Sequence, residues 1–479
     1  MSAAFPVDRA LHELLHGVDA RIAGNGDVMV RGITQDSRSV NAGDLYCCVR
    51  GDSFDGHDFV EGAVQAGAVA ILVDQPVDNV PHHVAVITVS DVRPVLGLVA
   101  ANGFGHPAEM LTIVGITGTN GKTSTAAIIA SILEANGDRV RVIGTLNGAR
   151  TTPEAIDLQA ILHAAVVEGV THVVMEVSSH ALHQGRVNGI TFAVGVFTNI
   201  ARDHLDYHGT EENYFAAKAL LFASGRSRIG VVNIDDPRGQ LLVDVGNVPM
   251  RGFGIADVEN VETRVDQVSY TWRGHKVTVP MGGAFTLMNS LAAVTSADVL
   301  GISPDVIVHG CAQLHQVPGR FESVSNDLGI GVVVDYAHTP DGLAQVLQSA
   351  RDLTQHRVIT VFGCGGNRDH GKRPMMGNVA ALLSDVVIVT SDNPRTEDPR
   401  SIIEEILSGM GEQAQKSARI EVEREKAIAS AISLAERGDI VVIAGKGHET
   451  TQEINGVFTP FNDVEVARLA LHERKDGSS

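Results

Sequence analysis

The sequence predicts an α/β protein of three domains, in which a smaller N-terminal α/β domain precedes a central P-loop-type sheet and a C-terminal Rossmann-like sheet. Length is the first reason, because 479 residues exceed what one hydrophobic core commonly supports. From residue 111 onward, short apolar β-rich runs alternate with helical segments, the pattern of parallel strands covered by helices. Two breaks, around Gly103–Glu109 and Gln316–Gly319, then divide the chain near 1–108, 109–318 and 319–479.

In order, the expected strands are Leu111–Ile116, Val140–Ile143, His172–Val177, Val194–Thr198 and Ile229–Ile234, followed by Ile330–Asp335, Val358–Phe362, Asp385–Thr390 and Asp439–Ala444. Several end in Gly, Asp, Asn, Ser or His clusters, and ligands bind at the carboxyl ends of strands in open α/β sheets. Between about Val258 and Met281 a near-alternating pattern predicts antiparallel strands around Trp272-Arg273-Gly274, an insertion in the middle domain. The tail from Arg474 reads as disordered.

Composition narrows the function classes. Hydrophobic residues at 44% and charged residues at 20% describe a folded chain rather than a disordered one. The 37 basic against 57 acidic residues give a net charge of −20, which opposes general binding to nucleic acid or an anionic membrane. Cys47, Cys48, Cys311 and Cys364 form no CxxC pair and no metal-ligand spacing, so neither a zinc site nor a disulfide framework is indicated. Asp8, Arg9, Glu13 and Asp19 interrupt any early signal-like run, and no stretch approaches the roughly 20 apolar residues of a membrane helix. A cytoplasmic protein without membrane insertion is expected.

The first chemical motif follows the strand near residue 113. Thr117-Gly118-Thr119-Asn120-Gly121-Lys122-Thr123-Ser124 leads into a helical run from Ala126. A strand, a glycine-rich turn and a helix N-terminus form a phosphate cradle, to which Lys122 adds charge and Thr123 an oxygen for Mg²⁺. The strict G-x-x-x-x-G-K-[ST] spacing is not met, because position 116 is Ile and the preceding glycine is Gly115. No Asn-Lys-x-Asp segment for reading guanine is present, which favours ATP.

A second constellation follows two further strands. Glu176, in Met175-Glu176-Val177-Ser178-Ser179-His180, closes a buried strand, where a carboxylate is costly unless a cation such as Mg²⁺ meets it; the alternative is a cap on the next helix. Asp203, His204, Asp206 and His208 crowd one loop after the strand ending at Thr198, which points to a site more than a lone His does. Lys218 by composition is an ordinary helix lysine.

The ordered segments GTNGKTS, MEVSSH, TNIARDHLDYHG, AAK, PGRFE, VDYAHTPDG, FGCGGNRDHGKRP, DNPRTEDP and GKGHET resemble the Mur ligase family over nearly the whole chain. The likeness is greatest to its MurE-type members, which use ATP to add meso-diaminopimelate to UDP-N-acetylmuramoyl-L-alanyl-D-glutamate through an acyl phosphate. The resemblance implies that Lys218 is carbamylated by CO₂ near a second Mg²⁺, and that Lys122, Glu176, His204 and Lys218 serve phosphoryl transfer, with Thr123, Glu176, His204 and the carbamate as metal ligands. It implies that Asn289, Arg320 and His338 join the phosphate loop around the nucleotide. Ser37, Thr151, Thr152, Ser178, Gln184 and Arg186 would contact the UDP-linked substrate, and Arg368, Asp392, Asn393, Pro394, Arg395, Gly445 and Glu449 the amino acid.

In that set Arg395 suits the distal carboxylate of diaminopimelate, which lysine lacks. Two positions depart from the family: Thr286 stands where Asn is common, and Asn367 where Asp is frequent. A monomer is expected. Alternatives are a lysine-adding ligase, a folate or cyanophycin type ligase, and a non-catalytic nucleotide-binding switch.

Overall fold

The computed structural model describes residues 5–51 and 54–476. The chain packs into two compact units that divide between Gly252 and Phe253. The first unit opens with a six-stranded sheet of β1 (Phe5–Ala10), β2 (Arg21–Ala23), β3 (Met29–Thr34), β4 (Asp44–Cys47), β5 (Ala70–Val73) and β6 (Ala85–Thr88), in the order β1-β3-β4-β5-β6-β2. Strands β3 to β6 are parallel, and the outer strands β1 and β2 pair antiparallel.

The second sheet holds β7 (Thr112–Thr117), β8 (Val140–Ile143), β9 (His172–Glu176), β10 (Phe192–Phe197), β11 (Ser227–Asn233) and β12 (Met250–Phe253), in the order β12-β11-β10-β7-β9-β8. Its inner strands β7, β9 and β10 are covered on both faces and read as nearly unbroken apolar runs. β7 is flanked by β9 on one side and β10 on the other, so the direction of winding reverses at β7. Such a reversal opens a crevice at the carboxyl end of the strands.

In the second unit β13 (Val258–Thr263), β14 (Val268–Trp272) and β15 (His275–Val279) form the expected antiparallel sheet. Arg273 and Gly274, both at positive φ (48° and 82°), make its two-residue turn, a geometry that matches the strand twist. The third large sheet comprises β16 (Glu322–Ser323), β17 (Gly331–Asp335), β18 (Val358–Phe362), β19 (Val386–Val389), β20 (Arg419–Ile420) and β21 (Ile440–Ala444), in the order β16-β17-β21-β18-β19-β20. Alternation along β21 serves both layers: Ile440, Val442 and Ala444 join one core, Val441 and Ile443 the other. A hairpin of β22 (Thr451–Ile454) and β23 (Val457–Pro460) follows. The α/β class is as expected, and each of the nine expected parallel strands lies within two residues of its place.

The tail differs from expectation. The helix Asp463–Asp476 continues past Arg474, whose guanidinium donates to Ile432 O, while Lys475 pairs with Asp327. The last three residues of the expected disordered tail lie outside the described residues. At the start of this helix Asp463 receives Arg424 Nε and Nη2, each at 2.7 Å, with both side chains fully buried. Arg424 Nη2 also donates to Ala444 O at 3.0 Å. Asp463→Asn leaves a buried guanidinium uncompensated and is expected to cost about 3–5 kcal/mol, measured as a lower urea midpoint for the second unit. Among the described residues no helix is long and apolar enough to cross a membrane.

Candidate active site

The phosphate loop lies at the carboxyl end of β7, ahead of the helix Lys122–Ala135. Ile116 is still inside β7, fully buried and paired with Glu176 of β9, so the glycine of the strict motif has no turn to make there. The turn begins at Gly118, where a Cβ would overlap Thr198 Oγ1. The segment after β10 braces the loop: Thr119 N–H donates to Asn199 O and Asn120 N–H to Asn199 Oδ1, both at 3.0 Å, and Thr198 Oγ1 donates to Asn120 O at 2.7 Å. Lys122 Nζ donates to the carbonyls of Gly118 and Thr119 at 2.9 Å, which curls its charge over the loop. Thr123 and Ser124 are buried in the first turn of the helix.

Glu176 ends the neighbouring β9 with only 2% of its surface exposed. Its carboxylate accepts from Thr123 Oγ1 at 3.0 Å, Thr145 N at 2.9 Å and Thr145 Oγ1 at 3.3 Å. It does not cap the next helix, because Ser178 Oγ takes that place, accepting from Ala181 N–H. A buried carboxylate facing the helix-borne hydroxyl of a phosphate loop offers the hard oxygens that Mg²⁺ takes together with phosphate, so these residues fit that ion.

From Glu176 the network runs on. Thr152 Oγ1 donates to Glu176 O at 2.9 Å and Ser178 N–H donates to Thr152 Oγ1 at 3.0 Å, while the hydroxyls of Thr151 and Thr145 are 3.0 Å apart. Arg186 Nη1 donates to Thr152 O at 3.1 Å, its Nε and Nη2 grip Gln184 Oε1, and Glu154 pairs with it at 2.9 Å. Thr151, Thr152, Ser178, Gln184 and Arg186 therefore share one patch beside Glu176. Ser37 is on the first sheet instead, in the turn Ser37–Ser39 capped by Asp36.

His204 has a left-handed φ of 52° and begins the turn Leu205–His208, with Nε2 3.5 Å from Asp203 Oδ2. Burial, helped by the positive Lys122, holds its imidazole below the ordinary pKa despite Asp203. The neighbouring His180 ring, 4.8 Å away, is pushed down to about 4 by burial and then by His204 and His208. Lys218, 1% exposed on the helix Glu211–Ala219, has Nζ 4.4 Å from the Tyr214 ring centre. Burial first and Lys122 second drive its amine well below the usual lysine range, with Asp203 opposing. Tyr214 OH lies 3.1 Å from Thr119 Oγ1, which joins this helix to the phosphate loop.

The second unit carries the remaining expected residues in two groups. Around the end of β17, Asp335 accepts from the N–H groups of Phe321 and Ala337 at 2.7 and 2.8 Å, and burial raises its pKa against the pull of Arg320. The Arg320 guanidinium lies 5.0 Å from the Tyr336 ring centre, and the His338 ring 4.6 Å from it. Asn289 is buried on the helix Ala284–Val299, and Thr286 of that helix donates its hydroxyl to Gly282 O.

The other group is the turn after β19. Asn393 Nδ2 donates to Glu449 Oε2 at 2.6 Å, and Lys446, fully buried, donates to Glu449 Oε2 at 2.9 Å, Asn393 Oδ1 at 3.1 Å and Thr451 O at 2.7 Å. Asp392 is buried and its pKa is raised by that burial. Gly445, at φ 115°, comes so close that a Cβ would be 2.6 Å from Asp392 Oδ2. Gly366 meets Pro394 O with no room for a side chain, and Arg395 Nη1 donates to Gly366 O at 2.7 Å. At Asn367, Oδ1 accepts from Thr396 N–H at 3.2 Å and Oγ1–H at 2.9 Å, at a left-handed φ of 52°. Arg368 is exposed on the same loop.

Known proteins resemble this chain in sequence and fold. Residues 29–103 match the profile described as Mur ligase family, catalytic domain; residues 116–297 match the Mur ligase middle domain and residues 319–447 the Mur ligase, glutamate ligase domain. The chain is 42% identical over 466 residues to the UDP-N-acetylmuramoyl-L-alanyl-D-glutamate--2,6-diaminopimelate ligase of Syntrophomonas wolfei, covering 93% of this chain and 95% of that one. The chain belongs to the Mur ligase family. The Aquifex aeolicus protein of the same name is 42% identical over 458 residues, covering 92% of this chain and 94% of its own. Among solved structures, one so named superimposes with a TM-score of 0.70 at 32% identity, covering 98% and 99% of the two chains. The MurF ligase from Thermotoga maritima in complex with ADP gives 0.62 at 21% identity, covering 93% and 98%, a likeness of fold.

Within this Mur ligase several participants escaped the sequence reading. Thr145 and Glu154 join the patch beside Glu176, Tyr207 OH accepts from Gln184 Nε2 at 3.1 Å, and Lys446 supports Glu449. Lys446 and Tyr207 had a usable signal, since Lys446 adjoins Gly445 and Tyr207 stands between Asp206 and His208. Thr145 and Glu154 had none, since neither adjoins a singled-out residue.

Proposed function

We propose that this Mur ligase is an ADP-forming acid–amino-acid ligase that adds meso-2,6-diaminopimelate to UDP-N-acetylmuramoyl-L-alanyl-D-glutamate in peptidoglycan synthesis. The observation that carries this reading is the junction at the ends of β7, β9 and β10, where phosphate loop, buried Glu176 and the Thr152–Arg186 patch are in hydrogen-bond contact. It occurs on a chain similar along nearly its full length to ligases whose names state that reaction. In this reading segments 1–108, 109–318 and 319–479 serve the UDP substrate, ATP and the amino acid in turn.

A carboxylate is a poor electrophile, and its anhydride with phosphate is a good one. Transfer of the terminal phosphoryl group of ATP to the D-glutamate carboxylate forms the acyl phosphate; the incoming amine attacks its carbonyl carbon, an amide bond forms, and phosphate leaves. Lys122 and the N–H groups at the start of the helix Lys122–Ala135 would hold the phosphates where charge moves. Thr123 and Glu176 would hold Mg²⁺, which supplies neutralisation of phosphate charge. Asn289, Arg320 and His338 are assigned to the nucleotide. Ser37, Thr151, Thr152, Ser178, Gln184 and Arg186 are assigned to the UDP-linked dipeptide.

Lys218 fits a carbamate: burial and Lys122 disfavour its ammonium, and the unprotonated amine can bond through its nitrogen to the carbon of CO₂ and release a proton. The resulting anion, with His204, would serve a second Mg²⁺. Arg395, with Arg368, Asp392–Pro394, Gly445 and Glu449, receives diaminopimelate. The enzyme is assigned to the cytoplasm as a monomer, with no nucleic-acid partner.

The test is phosphate release from ATP with the UDP-linked dipeptide, offering meso-diaminopimelate and L-lysine in parallel. Release dependent on diaminopimelate is expected. Preference for lysine overturns the amino-acid assignment, and absence of release with either amine points to the nucleotide switch.

A further inference from the structure

The hairpin β22–β23 reaches back to the turn that carries Arg395. Arg395 N–H donates to Glu453 O at 3.1 Å and Asn455 N–H donates to Arg395 O at 2.6 Å, so Arg395 forms a one-residue bridge opposite Ile454. Glu453 is pinned in turn, its N–H donating to Asn393 Oδ1 at 3.0 Å. With both backbones fixed, Glu453 Oε2 lies 3.3 Å from Arg395 Nε, while Nη1 donates to Gly366 O on the other side at 2.7 Å.

The guanidinium is thus held by one hydrogen bond, from Nη1 to Gly366 O, and by an ion pair with Glu453, which leaves most of its five N–H groups for a ligand. The carboxylate paired with Arg395 is thus Glu453 and not Glu449, whose Oε2 is taken by Lys446 and Asn393. Neither Arg395 nor Glu453 is sealed off, with side chains 25% and 24% exposed, so the guanidinium is held yet open to a ligand.

We propose that Glu453 is a positioning residue for amino-acid selectivity, fixing the Arg395 guanidinium in the pose that takes the second carboxylate of a diamino-dicarboxylic acid. The proposal rests on the diaminopimelate assignment above and extends it to a residue on the hairpin. An arginine that has already lost its rotamer freedom gives up less on meeting a carboxylate, so the benefit falls on affinity for that amino acid. ATP and the UDP-linked dipeptide gain nothing from it.

The experiment is steady-state kinetics of the full chain with each substrate varied, with wild-type dependence on meso-diaminopimelate established first. Glu453→Ala is expected to raise KM for meso-diaminopimelate about tenfold, with kcat within about twofold and the other two KM values unchanged. Glu453→Gln, which keeps the size of the side chain beside Arg395 but not its charge, is expected to recover part of the loss. An unchanged KM for meso-diaminopimelate in Glu453→Ala, or a parallel rise in all three KM values, overturns the positioning role. A wild-type chain that does not use diaminopimelate overturns the substrate assignment beneath it, a separate outcome seen before any variant is made.

Discussion

Lys218→Ala is expected to lower ligase turnover by about 10²–10³-fold, the scale of removing one preorganised group from a phosphoryl-transfer site. Short carboxylic acids added to the variant should restore part of the rate. The reason lies in the burial of this amine beside a second lysine, Lys122, which disfavours an ammonium there. As a carbamate the same side chain becomes an anion, and repulsion from Lys122 turns into attraction. The truncated variant leaves space that a small carboxylate can enter. Phosphate release measured with and without acetate decides the matter: undiminished turnover in Lys218→Ala removes the carbamate, and a loss that no carboxylate relieves shows that the amine itself is what the site uses.

Arg395→Ala is expected to lower kcat/KM for meso-diaminopimelate by about 10²–10³-fold, the range for truncating one partner of a desolvated charge pair. Most of the loss should fall on KM, because the distal carboxylate is remote from the attacking amine and contributes equally to ground and transition states. Arg395→Lys should recover little, since an ammonium cannot reproduce the two parallel N–H donors of the fork. Equal kcat/KM in wild type and Arg395→Ala would place the amino acid elsewhere on the chain.

Much of the architecture was legible because the parallel strands are buried on both faces and end in polar clusters, as at Thr117, Glu176 and Thr198. The unusual phosphate-loop spacing also had a readable cause once the strand reached Thr117. Other features depend on contacts between distant segments. Nothing in the sequence singled out Glu453, and only the bridge between Arg395 and Ile454 brings it beside Arg395. Lys446 is fully buried on account of three acceptors drawn from Asn393, Glu449 and Thr451. The tail misled for a similar reason: its charged composition suggests solvent, while the Arg474 and Lys475 side chains have partners at Ile432 and Asp327.

The place of β21 carries a cost during synthesis. This strand is the last of its sheet in sequence, yet it lies between β17 and β18 and pairs with both. Once Phe362 has been made, 78 further residues, 440 less 362, must be added before Ile440 appears. At about 5–20 residues per second the ribosome takes roughly 4–16 s to supply them. Throughout that interval Val332–Val334 and Ile359–Val361 have no central partner, and their apolar edges are open to other nascent chains. The central β7 of the first unit waits in a similar way, with 55 residues from Thr117 to His172 of β9 (172 less 117) and 75 to Phe192 of β10 (192 less 117). Slow translation or crowded polysomes should therefore lengthen the exposure of β17 and β18, and a chaperone that shields strand edges would act on them until Ile440 emerges.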